Sequence, residues 1–205
     1  MKIDIWSDFA CPFCYAGIKR FEEALKELGQ DREVEINYRS LELNPKIGTE
    51  GNMSLIDMLA SNYGKTKEEA LEMVKKSADF VRSEGLLYDY ENQIVTKTLD
   101  AHRLVYYAKT HGKESAMKDI LFKAYFAEAM NIGNPEILMD LAMDIGLDRD
   151  KVRDVLNSDA YLDNIEQDYK DAHRLRIELV PTFIFDDKTR VSGVINKESF
   201  NEIFN

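Results

Sequence analysis

Cysteine is nearly absent from this 205-residue chain, occurring only at Cys11 and Cys14. Two cysteines so close together cannot form the long-range bridges that staple a small secreted domain, and a chain of this length can bury a core without them. Histidine is almost as scarce, and His102, His111 and His173 lack the close spacing that would complete a zinc site begun by a Cys-x-x-Cys pair. No apolar run approaches the ~20 residues needed to cross a bilayer. Positive charge is the minority, with 27 Lys and Arg against 38 Asp and Glu and a formal net charge of −11. Such a chain repels phosphate backbones, so nucleic acid is not an expected partner, and neither is a membrane. Repeats, low-complexity tracts and flexible linkers are also missing. At the amino end Asp4 and Asp8 interrupt any apolar stretch a secretory leader would need, and the expected location is the cytosol.

What is present is ordinary for a globular protein: 44% hydrophobic and 32% charged residues. Ile3 and Ile5 alternate with polar neighbours, as in a strand, and lead directly into Cys11-Pro12-Phe13-Cys14. From Pro12 onward Cys14, Ile18, Phe21, Leu25 and Leu28 recur at helical spacing, with Gly29 placed to close the helix. Val34, Ile36 and Tyr38 predict a second strand. The stretch from Asn44 to Asn52 is rich in turn residues and breaks the pattern.

A run of helices is expected next. Thr66 and Glu69 form a capping box ahead of Ala70, Met73, Val74, Phe80 and Val81, with Gly85 as a stop. Met117, Ile120, Leu121, Ala124 and Tyr125 make a second stripe. Asn134 and Pro135 open a helix carrying Ile137, Leu138, Leu141, Ala142 and Ile145 before Gly146. Ser158 is placed to cap a last long helix bearing Tyr161, Leu162, Ile165, Tyr169, Ala172 and Leu175. The β pattern then returns in Val180 to Phe185, turns at Asp186-Asp187-Lys188 and pairs back over Arg190 to Val194, before a short helix from about Lys197 with Phe200, Ile203 and Phe204. The order is βαβ, many helices, then ββα, which reads as helices inserted into a β-containing core. The methionines, including Met53, Met58, Met73, Met117, Met130, Met139 and Met143, fall at helical spacing and are expected to be core, although they could also line an adaptable surface.

The concentration of both cysteines in one Cys-x-x-Cys unit, between a strand and a helix, points to redox chemistry. Pro12 suits the first helical position, which puts Cys11 at the cap, where it is expected to face solvent. Cys14 belongs to the apolar stripe and should point inward. The helix dipole and the unpaired N–H groups of the first turn favour a thiolate at Cys11, the attacking form, and leave Cys14 to resolve the mixed disulfide. Pro12 and Phe13 bring neither charge nor donor between the sulfurs, which argues against a strongly oxidising pair. Asp8, three residues before Cys11, could shift its titration or accept a proton; a solvated loop carboxylate is the alternative.

These residues also resemble a known family. Ser7-Asp8 with Cys11-Pro12-Phe13-Cys14-Tyr15, then Ala101-His102-Arg103-Leu104, Val180-Pro181-Thr182-Phe183 and Val191-Ser192-Gly193, are similar in kind and order to the DsbA-like thioredoxin-fold proteins of the FrnE type. The resemblance implies an α/β thioredoxin fold with a large all-helical insertion, the core being residues 1–45 and 178–205 and the insertion 46–177. It implies a cis Val180–Pro181 bond in a loop lying against the cysteines. There Val180 and Pro181, with Pro12 and Phe13, would contact substrate, and an extended peptide could add as a strand. The chain departs from the family pattern at Leu179, where glycine is common, and at Val194-Ile195. His102 and Arg103 match a helical landmark but are expected to be structural hydrogen-bonders, not catalytic groups.

The expectation is a dithiol/disulfide oxidoreductase acting on a disulfide-containing protein or a glutathione-type thiol, without cofactor or metal. In a cytosol where glutathione keeps exposed thiols reduced, the direction would be reduction or isomerisation. Three other readings compete: a glutathione-dependent isomerase or transferase of the same superfamily, a zinc module, and a client-binding chaperone without turnover. Oligomeric state cannot be read from the residues.

Overall fold

Alternation along the first strand, β1 (Lys2–Ser7), decides which way the sheet faces. Ile3 and Ile5 point to one side and Asp4 and Trp6 to the other, as a period of two requires. The computed structural model describes residues 1–29, 34–51 and 53–204. In it β1 leads to α1 (Pro12–Glu27) and returns as β2 (Glu35–Ser40), parallel to β1 with Ile3 opposite Ile36. Seven described helices follow: α2 (Leu55–Tyr63), α3 (Lys67–Ser83), α4 (Leu99–Lys109), α5 (Glu114–Phe126), α6 (Pro135–Asp144), α7 (Arg149–Leu156) and α8 (Leu162–Arg174). The chain then rejoins the sheet as the hairpin β3 (Thr182–Phe185) and β4 (Thr189–Ser192), and ends in α9 (Lys197–Phe204). The strand order is β2-β1-β3-β4, with β3 antiparallel to both neighbours. This is a thioredoxin fold carrying a helical insertion between its βαβ and ββα halves.

Both sheet faces are covered. Ile3, Ile5, Phe183 and Phe185 join the main core with Phe21 of α1 and Phe200 of α9, whose rings lie 5.1 Å (Phe21–Phe183) and 5.2 Å (Phe21–Phe200) apart. The opposite face packs Trp6 and Ile184 against Ala172 of α8 and Ile177. Full burial of large aromatic and aliphatic side chains of this kind contributes roughly 1.5–3 kcal/mol each.

Local signals set many of the boundaries. The Thr66–Glu69 capping box is present at the start of α3, and the Asn134 side chain accepts the Glu136 N–H at the start of α6. The apolar stripes do not single out α2, α4 or α7; of these, α2 and α7 are opened by Ser54 and Asp148, which accept from the N–H groups of Asp57 and Lys151.

Four sequence expectations are corrected. Ser158 does not cap the long helix. Its hydroxyl turns back to donate to the Val155 carbonyl, and α8 starts after Tyr161, whose backbone is left-handed at φ 66°. Strand β4 stops at Ser192, because Gly193 (φ 80°) turns the chain away before Val194. Val34 precedes β2 rather than belonging to it. Met58, Met117 and Met139 are core, but Met53, Met130 and Met143 are exposed. Asn52, at the end of the turn-rich stretch, lies outside the described residues.

Candidate active site

The end of β1 delivers the chain to the start of α1 through Asp8, Phe9 and Ala10. Cys11 takes an extended backbone (φ −99°, ψ 112°) as the cap, and Pro12 follows at the first helical position, where its missing N–H costs no hydrogen bond. The Cys11 carbonyl then accepts from Cys14 N at 3.0 Å and Tyr15 N at 3.2 Å. The turn places Cys14 behind Cys11, and both are free thiols.

Cys14 points inward with no exposure, as expected, but Cys11 does not face open solvent: only 4% of its surface is accessible. The correction has a structural cause. The Val180–Pro181 bond is cis, and its loop folds over the sulfur so that Cys11 Sγ lies 3.7 Å from the Val180 carbonyl oxygen. Gly17, one turn further along α1, permits this approach: a Cβ there would sit 3.1 Å from Pro181 Cγ and 3.5 Å from Val194 Cγ2. The sequence therefore identifies the loop but not the degree to which it shields the thiol.

Cys11 instead lies on the wall of a groove of about 380 Å³. Pro12, Phe13, Leu43 and Tyr88 line it together with residues of α2 and α3. Phe13 is exposed, its ring 5.7 Å from that of Phe80. Burial, followed by the charge of Cys11, pushes the Tyr88 hydroxyl above its ordinary range.

The two sulfurs are chemically unequal. Burial is the main influence pushing the Cys14 thiol well above its ordinary value; the hydrogen bond to Cys11, the charge of Cys11 and the charge of Asp8 act in the same direction, while a backbone hydrogen bond from Asp8 opposes them. Burial and the neighbouring charges thereby disfavour ionisation of Cys14.

Asp8 is not a solvated loop carboxylate. It is 1% exposed and accepts hydrogen bonds from Leu43 N at 2.7 Å, Thr98 Oγ1 at 2.7 Å and Ala10 N at 3.3 Å, while His102 Nε2 lies 3.4 Å from its Oδ1. Burial alone would raise its pKa, but the hydrogen bond and charge of His102, the Leu43 N–H and the Thr98 hydroxyl together hold it below the usual carboxylate range. Thr98 makes no side-chain cap at the start of α4; its hydroxyl serves Asp8 instead. His102 is thus a hydrogen-bonder beside the sulfur-bearing loop, a placement that sequence spacing could not reveal. Arg103 is structural: its guanidinium donates to the carbonyls of Val155, Ser158 and Ala160 at the end of α7.

Among the described residues no group of three or more His, Cys, Asp or Glu side chains could hold a metal ion, and no helix is long and apolar enough to cross a membrane.

Comparison with known proteins agrees with this geometry. The sequence pattern of the DSBA-like thioredoxin domain matches residues 2–205. A probable DsbA oxidoreductase from Streptomyces coelicolor superposes with a TM-score of 0.92 at 35% identity, over 99% of this chain and 88% of that one. The uncharacterized protein YwbO of Bacillus subtilis is 29% identical over 204 residues, 98% of this chain and 94% of its own. The cytosolic disulfide reductase DsbM from Pseudomonas aeruginosa, solved with glutathione, shares the fold at a TM-score of 0.68 and 13% identity, over 98% of this chain and 92% of that one.

Proposed function

Since the chain belongs to the DsbA-like thioredoxin-domain family, we propose that it is a thiol–disulfide oxidoreductase in which Cys11 is the nucleophile and Cys14 the resolving thiol. The observation that carries this reading is the inequality of the two sulfurs. Cys11 borders the groove at a helix N-terminus, whereas Cys14 is fully buried and held as a thiol.

In the reducing direction the Cys11 thiolate attacks one sulfur of a substrate disulfide. A Cys11–substrate bond forms, the substrate S–S bond breaks and one substrate thiolate leaves. Cys14 then gives up its proton and attacks the Cys11 sulfur, closing the Cys11–Cys14 bridge and releasing the second substrate thiol. The substrate gains two electrons that the cysteine pair loses, and an external thiol donor restores the pair. Val180 and Pro181 supply backbone beside the reacting sulfur on which an extended substrate can lie, and Pro12 and Phe13 border its path.

The same reading divides the chain into a core of residues 1–45 and 178–205 and an insertion of 46–177, the insertion supplying one wall of the groove. It also places the protein in the cytosol, where the prevailing reducing poise favours reduction or isomerisation of disulfides. A disulfide-containing protein and a glutathione-type thiol are both partners consistent with this chemistry.

The test is equilibration of the cysteine pair with glutathione buffers, approached from both the reduced and oxidised sides and read by alkylation and intact mass. A reductase is expected to show a potential near that of thioredoxin, about −270 mV, and a value near about −120 mV would reverse the direction. Failure to form an internal Cys11–Cys14 bridge would remove the activity altogether.

A further inference from the structure

Only 4% of the Cys11 surface is accessible. A bulky disulfide cannot bring its sulfur to an atom so covered, and one of the covering segments therefore has to move. The Val180–Pro181 loop is the fixed cover. It runs straight into β3, whose four residues are all buried. Two hydrogen bonds of 2.7 Å hold it, from Thr182 Oγ1 to the Leu179 carbonyl and from Gly193 N to the Pro181 carbonyl.

The α2–α3 hairpin, which faces Cys11 across the groove, is attached differently. Among the described residues, α2 buries only Met58. Of the buried side chains of α3, Ala78 and Val81, near its end, belong to the main core, whereas Ala70 and Val74 do not, and neither does Met58. The hairpin is completed from within: Ser54 and the Thr66–Glu69 box cap its helices, and Asp57 pairs with Lys67 at 2.6 Å. Among the described residues, side-chain hydrogen bonds from the hairpin to the rest of the chain fall in two places. At the base of α3 the Arg20 guanidinium donates to Glu84, and Arg82 donates to the Tyr88 carbonyl. Toward the tip one exposed bond, from Asn62 Nδ2 to Asn44 Oδ1 at 3.0 Å, ties α2 to the loop after β2.

A unit with few core contacts and one exposed fastener opens at a lower free energy than the whole fold, and lids of this kind gate access to reacting groups. Resting on the reading of Cys11 as the nucleophile, we propose that the α2–α3 hairpin is a lid. It pivots as one body at the base of α3, is fastened by Asn62 and Asn44, and in opening uncovers Cys11 for bulky disulfides. The closed form leaves the sulfur to small reagents that fit a groove of about 380 Å³.

Two maleimides of unequal size test this on the full-length Cys14→Ser protein, in which Cys11 is the remaining thiol. N-ethylmaleimide and a maleimide carried on a polyethylene glycol chain share one reactive group, so the ratio of their rates, read by intact mass, cancels the ionisation of the sulfur. Asn62→Ala and Asn44→Ala each remove the fastener and should raise the ratio of bulky to small reagent by about threefold, the effect of one exposed hydrogen bond. Hydrogen exchange should show the amides from Met58 to Ser77 opening together, ahead of α1 and α5. Asn62→Ala should speed them while α5 keeps its protection. An unchanged ratio in both variants, or a hairpin as protected as α5, overturns the lid and leaves the oxidoreductase reading in place. Should N-ethylmaleimide label Cys11 in urea but not in the folded protein, the nucleophile reading falls, and hydrogen exchange alone then judges the lid.

Discussion

Two buried aspartates join the sheet to the inserted helices, and their surroundings differ in an instructive way. Asp168 belongs to α8 and reaches toward the sheet, accepting from Arg39 at 3.0 Å, Ser40 N at 2.8 Å and Tyr106 OH at 2.5 Å. Asp8 belongs to the sheet end and reaches toward the helices, accepting from Thr98 and facing His102. Their burial is almost the same, 0% exposure for the Asp168 side chain and 1% for that of Asp8. The partners of Asp168 are framework groups only, whereas Asp8 also shares its loop with Cys11 and acts through its charge on Cys14 at the start of α1. Burial of a carboxylate therefore does not reveal its role; what lies on its far side does. Asp168 ties framework groups to one another, and Asp8 does so beside the two cysteines.

Asp168→Ala provides the largest separation between them. It removes the carboxylate shared by Arg39, Ser40 N and Tyr106 and leaves Arg39, among the described residues, an ion pair with Asp4 at 3.5 Å; breaking a buried pair in this manner costs about 3 kcal/mol. Urea denaturation is expected to show that loss, while the potential of the cysteine pair stays where it was. Asp8→Asn should cost less, about 2 kcal/mol, because charged acceptor bonds become neutral ones. It should also lower the Cys14 pKa by removing a negative charge that raises it, read as the pH dependence of alkylation in a Cys11→Ser background. The wild type, with Asp8 held below the carboxylate range, loses that contribution as pH falls below about 3.9 and further through the folded pKa; Asp8→Asn lacks this acid-side slope.

On the alkaline side Cys14 works in the opposite sense. Its folded pKa is raised, so the unfolded chain releases this proton first. The reduced protein should then lose stability above about pH 8.5, by at most about 1.4 kcal/mol per pH unit from this group. The oxidised protein has neither thiol proton, and comparison of reduced Cys11→Ser with Cys11→Ser/Cys14→Ser isolates the contribution of Cys14. Thr98→Val is the smallest perturbation, removing one hydroxyl donor to Asp8 at about 1 kcal/mol. A shift in cysteine potential on Thr98→Val without a shift on Asp168→Ala would sharpen the contrast; equal shifts would erase it.

The features legible in the sequence are those written in neighbouring residues. Cys11 and Cys14 flank Pro12 at a helix start, Thr66 and Glu69 cap α3, and Asp186-Asp187 turn the hairpin with φ values of 48° and 57°. The family resemblance adds the cis Val180–Pro181 bond and agrees with the helical insertion that the order of elements already indicates. Features that depend on distant segments stayed hidden. Cys11 is covered by a loop 169 residues away, and Asp8 meets His102 across 94 residues, separations that no local period encodes. An aspartate beside aromatic and cysteine residues, followed much later by threonine and histidine four apart on a helix, is a signal only in retrospect. Ser158 shows the converse error: its residue type suits a cap, but its hydroxyl found the Val155 carbonyl instead.

The groove walls come from separate stretches of chain, one side next to the sulfurs and the other on α2 and α3. Specificity and reactivity are consequently open to independent tailoring. A library confined to residues 55–77 can remodel the far lining of the groove while leaving the two cysteines, and the carboxylate beside them, in their inherited setting.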